Sequence, residues 1–361
     1  MTGRLAFVDN LRVYLTILVV AHHVALAYGN LRVWPNAEPP PTVAAGLPLD
    51  ALVLLNQTFF MGLFFLLSGF VVPASLERKG ARAFAADRLR RLGIPFVVFL
   101  VLLRPIYTLP TYLDLPVAGR PPYWLFYLTE YDIGPMWFLE VLLILSLGYA
   151  LIRRDRPGRA IELRPRHILG FALVLGVVSY GWRIFVPIGM YVPIAGLPSA
   201  AYLPQYVALF AAGIAAHRHG WLRVLPRRAV SLGSGLIAGS VVPMVALGGY
   251  LTLDLEHPPP ATSTAHLGFA LWDSLFATGT ILVLLSLFQR YADVTAPAFL
   301  PGNAYAVYLV HAPIIVGVVA ALHPVELAPV PKFLLALPAS LVLSWLTGAL
   351  VRRLPLLRSV L

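Results

Sequence analysis

The sequence predicts an all-α, polytopic membrane protein of about ten transmembrane helices with no soluble domain, and three observations carry that prediction. Of the 361 residues, 59% are hydrophobic and only 12% are charged, with a mean hydropathy of +0.80. Soluble domains carry roughly 25% charged residues, so the chain lies far outside that class. Apolar runs of spanning length, about 20 residues each, recur from end to end. The basic residues fall in short clusters between these runs, as membrane topology requires.

The spans read as 9–28, 49–74, 92–109, 134–152, 168–187, 202–216, 230–251, 267–289, 305–321 and 333–351. Pro95, Pro135, Pro187, Pro193, Pro204 and Pro301 fall near proposed ends, where proline is tolerated. Residues 1–361 therefore form one transmembrane domain, without internal repeats or a linker.

Charge counting sets the orientation. With spans alternating, 22 of the 27 Lys and Arg residues fall on one side: Arg4 and Arg12, the 78–91 cluster, the 153–166 cluster, the 218–228 cluster, Arg290 and the tail. The opposite loops hold three, Arg32, Arg120 and Lys332, while Arg104 and Arg183 lie within spans. Both termini are expected in the cytoplasm. Residues 4–27 have the outline of a signal peptide, but Asp9, Arg12 and the His22-His23 pair interrupt the apolar stretch. The net charge of +11 is spent on sidedness and needs no nucleic-acid partner.

There is no cysteine, which removes disulfides, thiolate metal sites and a cysteine nucleophile. No P-loop, dinucleotide-binding turn, G-x-S-x-G elbow or HExxH helix is present either. No metal is expected.

Ionisable residues inside spans are costly and usually functional. On span one, Arg12 and His23 are eleven steps apart, which returns to within roughly 20° of one helical face about 16 Å further along. Thr16 shares that stripe and His22 points about 100° away. Arg88 and Arg91, three apart at the start of span three, suit the forked recognition of phosphate oxygens; taken alone, they read as positive-inside anchoring instead. Glu140 follows Trp137 in an apolar helix and is expected at a depth comparable with His23, so the two are candidates to meet. His311 lies within span nine. Trp34, Tyr123, Trp124, Tyr127, Glu130, Tyr131, Asp132, Trp182, Arg183 and Asp273 read as an interfacial aromatic belt, with an acceptor platform as the other reading.

Taken together, these residues resemble the acyltransferase 3 family of bacterial inner-membrane proteins, most closely its stand-alone glucan succinyltransferase type. The resemblance runs from Asp9-Asn10-Leu11-Arg12 and His23 through Phe64-Phe65-Leu66-Leu67-Ser68-Gly69, Arg88 to Pro95 and Trp137-Phe138-Leu139-Glu140 to Tyr308-Leu309-Val310-His311. It implies a catalytic set of His23, Arg12 and Glu140, with Arg88 and Arg91 handling an acyl-coenzyme A donor. In many members the glutamate follows the tryptophan by more residues than here, and the SGNH domain that some relatives carry is not expected. The implied reaction is O-acyl transfer, acetyl or succinyl, from cytoplasmic acyl-coenzyme A to a hydroxyl of an envelope glycan or other saccharide. His23 would act as general base or carry the acyl group as an acyl-imidazole. Membrane lipid is the surrounding partner, and the oligomeric state is not legible. The rival class is a proton-coupled transporter of saccharides or small anions, against which stand the missing repeats and the lack of paired broken helices.

Overall fold

The computed structural model describes residues 5–130, 132–152, 161–190, 200–226, 228–247, 260–354 and 360. These are mostly helical, with no strand among the described residues. In chain order the helices are α1 (Ala6–Tyr28), α2 (Val43–Lys79), α3 (Ala81–Leu113), α4 (Tyr123–Thr129), α5 (Trp137–Ile152) and α6 (Pro165–Phe185). They continue as α7 (Leu203–His219), α8 (Ala229–Ala246), α9 (Thr264–Tyr291), α10 (Phe299–Leu322) and α11 (Pro329–Val351). Nine helical stretches among the described residues are long and apolar enough to cross a membrane, with α4 and α5 counted together as Tyr123–Ile152. The one expected span outside these nine is the sixth, 202–216, which is α7, 17 residues long. Of the sequence-based expectations, Arg4, Arg153, Arg154, Arg156, Arg159, Arg227, Arg358, Tyr131 and Pro193 lie outside the described residues, as does the end of the seventh span.

α1 is the central post. Leu11, Leu15, Val20 and Val24 are buried on different faces of it, and it packs against α2, α9, α10 and α11. A helix that is apolar all round belongs in the interior. Its start is tied to the end of α9: the Phe7 amide donates to Asp293 Oδ1 (3.0 Å), and Asn10 Nδ2 donates to the carbonyls of Ala292 (2.7 Å) and Val294 (2.8 Å). Asn10 thus satisfies two carbonyls of the chain just past the end of α9.

α2 and α7 approach so closely that only glycine fits between them. A Cβ on Gly69 would lie 2.1 Å from the Phe210 carbonyl oxygen, and one on Gly213 would lie 2.0 Å from that of Leu66. Without a hydrophobic driving force in lipid, such close backbone contact is what holds helices together. A smaller apolar cluster of Ile168, Ala172, Ala229, Leu236, Leu275 and Leu282 joins α6, α8 and α9.

α3 departs from the expected layout. Its helix begins at Ala81, not near residue 92, and continues past Pro95 because two π-helical turns, Leu89–Gly93 and Phe99–Leu103, widen it. Pro95 has no N–H for the Arg91 carbonyl, and the Tyr305 hydroxyl on α10 donates to that oxygen instead. In the second turn the Arg104 amide donates to Phe99 rather than Leu100, and the Tyr127 hydroxyl donates to the freed Leu100 carbonyl. Two tyrosines from other helices therefore supply donors that Pro95 and the second π-turn remove.

Candidate active site

His23 sits five residues before the end of α1 and keeps part of its surface accessible, whereas His22 is 6% exposed and His311 is fully buried. Its ring lies 5.0 Å from the rings of both His311 on α10 and Trp34 in the loop after α1. The sequence left the role of His311 open, and nothing in linear spacing links residues almost 290 positions apart.

The imidazole geometry fixes the tautomers. His23 Nδ1 is 2.8 Å from the Val19 carbonyl and His311 Nδ1 is 2.6 Å from the Tyr308 carbonyl. A carbonyl oxygen only accepts, so each Nδ1 carries the hydrogen, and in the neutral ring Nε2 keeps its lone pair. His311 Nε2 is buried with no hydrogen-bond partner. When neutral, the two imidazoles therefore present unprotonated Nε2 atoms, which is the form a general base needs. Tyr308, one turn before His311, donates its hydroxyl to the Pro135 carbonyl and pins α10 to the entry of α5. His22 belongs to the packing: its ring stacks on Phe60 at 4.9 Å.

The arginine pair stands at the bundle end that holds the start of α1. Arg91 Nε donates to Asp87 Oδ1 at 3.1 Å, Arg88 lies 3.7 Å from the same carboxylate, and Lys79 reaches it at 2.7 Å. Asp87, which the sequence argument missed, therefore organises three cations. Arg88 is mostly buried, reaches Ser75 on α2 (3.4 Å) and covers the Phe84 ring, and its Nε is without a partner. Arg91 is exposed. Arg12 stands 3.8 Å from Asp9 with its side chain 36% exposed.

The predicted residues are not all brought together. Arg12 lies near one end of α1 and His23 near the other, so they mark two stations along one helix. Glu140 is partly buried in the first turn of α5. It makes neither hydrogen bond nor ion pair with His23; the ring neighbours of that histidine are His22, Trp34 and His311. The belt reading fails for three residues. Trp34 is 4% exposed and packs on His23, while Arg183 and Asp273 form a buried ion pair at 2.5 Å between α6 and α9. It suits Trp124, which is 64% exposed. Lys332, expected in a loop, is also buried and paired with Glu38.

Beyond Trp34, at the end of the bundle away from the arginines, Arg104 donates to the main-chain carbonyls of Asp132 (2.6 Å) and Glu130, and stacks on Tyr127 at 4.3 Å. An arginine inside the bundle is thereby spent on holding the loop before α5, whose Asp132 Oδ1 accepts from the Gly134 amide at 2.7 Å.

Proteins of known sequence share this chain's pattern. The glucans biosynthesis protein C of Escherichia coli O139:H28 (strain E24377A / ETEC) is 24% identical over 256 residues, covering 64% of this chain and 63% of the relative. That of Escherichia coli strain SMS-3-5 / SECEC is 23% identical over the same length and coverage. The match thus spans less than two thirds of the length of these relatives. The family model described as an acyltransferase domain covers residues 5–349. With nearly its whole length inside that match, the chain belongs to the acyltransferase 3 family.

Proposed function

We propose that this protein is an integral membrane O-acyltransferase, moving an acetyl or succinyl group from acyl-coenzyme A at the arginine-rich, cytoplasmic face to a hydroxyl of an envelope saccharide at the opposite face. The observation that carries this reading is His23: partly accessible, fixed by the Val19 carbonyl as the Nδ1–H tautomer, and thus offering Nε2 as a base. The names of the relatives point to glucans as the saccharide class.

The division of labour follows from charge. Coenzyme A phosphates carry charge that cannot enter lipid, and Arg88, Arg91 and Lys79 offer donors for them at the face where α2 meets α3. Arg88, with its spare buried Nε, is the strongest candidate for a forked contact. The slender thioester arm extends along α1 past Arg12 toward His23, about 16 Å further on. There His23 Nε2 takes the hydroxyl proton while the oxygen attacks the thioester carbonyl. The carbon–sulfur bond breaks, and the departing thiolate takes the proton back from Nε2. An ester and free coenzyme A result.

The test is reconstitution in liposomes with acyl-coenzyme A at the arginine face and a glucose oligomer at the other, across several acyl donors. Esterified saccharide and stoichiometric free coenzyme A are expected. Solute flux that requires His23, ignores thioester and leaves no ester would establish a transporter in its place.

A further inference from the structure

A cavity of about 390 Å³ opens at the end of the bundle away from the arginine pair, between the loop after α1 and the loops bounding α4. Arg32, Trp34, Pro35, Thr111, Asp114 and Asp132 line it. Its volume is within the range of small-molecule sites. Trp34 belongs to two places at once: it lines this cavity, and its ring is 5.0 Å from that of His23, which does not line it. One indole ring therefore lies between the cavity and the histidine pair.

We propose that this cavity is the acceptor site and that it takes a neutral, polyhydroxylated saccharide rather than an anionic one; the assignment as acceptor site rests on the acyl-transfer reading above. The first argument is donor and acceptor chemistry. Asp114 and Asp132 are carboxylates that accept, Arg32 is a guanidinium that only donates, and a sugar hydroxyl does both. Among the lining side chains an anionic ligand would face two carboxylates and one cation, with Arg104 behind Asp132.

The second argument is Trp34. Its Nε1 is buried without a hydrogen-bond partner in a side chain only 4% exposed. A buried donor left bare is costly, and among the cavity-lining side chains Trp34 carries one. The loop carrying it is held just after the indole, since Asn36 Nδ2 donates to Val316 on α10 (2.9 Å) and the Glu38 amide donates to Ala27 on α1 (2.7 Å). The indole is thus a fixed partition, past whose edge a ligand hydroxyl reaches the base.

The third argument is backbone strain. Arg32 has φ of 47°, and among the described residues it is the only one other than glycine with positive φ. That conformation costs an arginine about 1–2 kcal/mol, and such strain concentrates at ligand sites.

The experiment uses the full-length protein in detergent, with a neutral glucose oligomer and a uronic-acid oligomer of equal length as probes. Binding is measured by calorimetry without donor, and acceptor and donor KM are measured with donor present. Arg32→Gly suits the positive φ, so any loss it causes is not misfolding; Asp114→Asn and Asp132→Asn complete the set. The neutral oligomer should bind and the uronate should not. Each variant should raise the acceptor Kd and KM tenfold or more while the donor KM moves less than twofold. Trp34→Ala should raise thioester hydrolysis relative to transfer several-fold, with Trp34→Phe closer to the parent. Acceptor KM untouched in all three cavity variants, or uronate bound as well as the neutral oligomer, would overturn the assignment while leaving acyl transfer intact. Saccharide binding that depends on Asp114 and Arg32 without any thioester consumption would support a saccharide site here and overturn the acyl-transfer reading.

Discussion

At the scale of single residues, the two adjacent histidines separate packing from chemistry. His23→Ala should lower turnover by about 10²–10⁴-fold, the usual contribution of a positioned base, with normal membrane levels. His22→Ala removes a ring stacked on Phe60 and should keep most of the activity. Equal loss in both variants would mean that the face of α1 is misassigned. The arginines make a graded case, because Arg88 is mostly buried with a spare Nε while Arg91 is exposed and bound to Asp87. Lysine keeps the charge but not the fork. Arg88→Lys is therefore expected to weaken donor binding about tenfold, roughly 1.4 kcal/mol, and Arg91→Lys less. Normal thioester affinity in both would reduce them to topology anchors. Of these features, the Arg12–His23 stripe and the Arg88-x-x-Arg91 spacing were legible in sequence, because residues on one helix are related by a fixed rotation. The His311 and Trp34 contacts were not, since they join α10 and a loop to α1 across long stretches of chain.

At the scale of helices, α3 shows how local chemistry and tertiary contacts share one task. Proline at 95 and 105 marks where its ladder cannot close, and the π-turns carry the helix past both points. Tyr127 and Tyr305 complete the arrangement by donating to Leu100 and Arg91. Tyr127→Phe and Tyr305→Phe should each leave a carbonyl unsatisfied at a cost of about 1–3 kcal/mol, read as a lower midpoint of thermal unfolding in detergent. Tyr291, 68% exposed, supplies the control, because its change to Phe should do nothing. No difference between the three would show that the hydroxyls play no part in holding α3. A proline in sequence signals an end or a kink. Whether the helix continues depends on a donor from elsewhere, which is why α3 starts eleven residues before its expected beginning at 92.

At the scale of the whole molecule, the charge count predicts both termini on the cytoplasmic side. The native chain has no cysteine, so single cysteines report sidedness cleanly. In intact cells an impermeant thiol reagent should label Val117→Cys, which is 83% exposed between α3 and α4, and should leave Arg82→Cys untouched. The reverse pattern would invert the bundle and put the arginine cluster on the wrong face for a cytoplasmic donor. The membrane fold, the approximate positions of the spans and the segregation of arginine were determined by sequence alone. Hydropathy and charge act on each segment through the lipid and the membrane surface, without reference to which helix lies beside it. Tertiary structure decided the rest: His23 beside His311, Trp34 as a wall between histidine and cavity, Arg183 neutralised by Asp273, and Glu140 without a hydrogen bond to the histidines. Those outcomes depend on which helix faces oppose one another, and that is set by backbone approach at positions such as Gly69 and Gly213, where spacing along the chain holds no record of the neighbour.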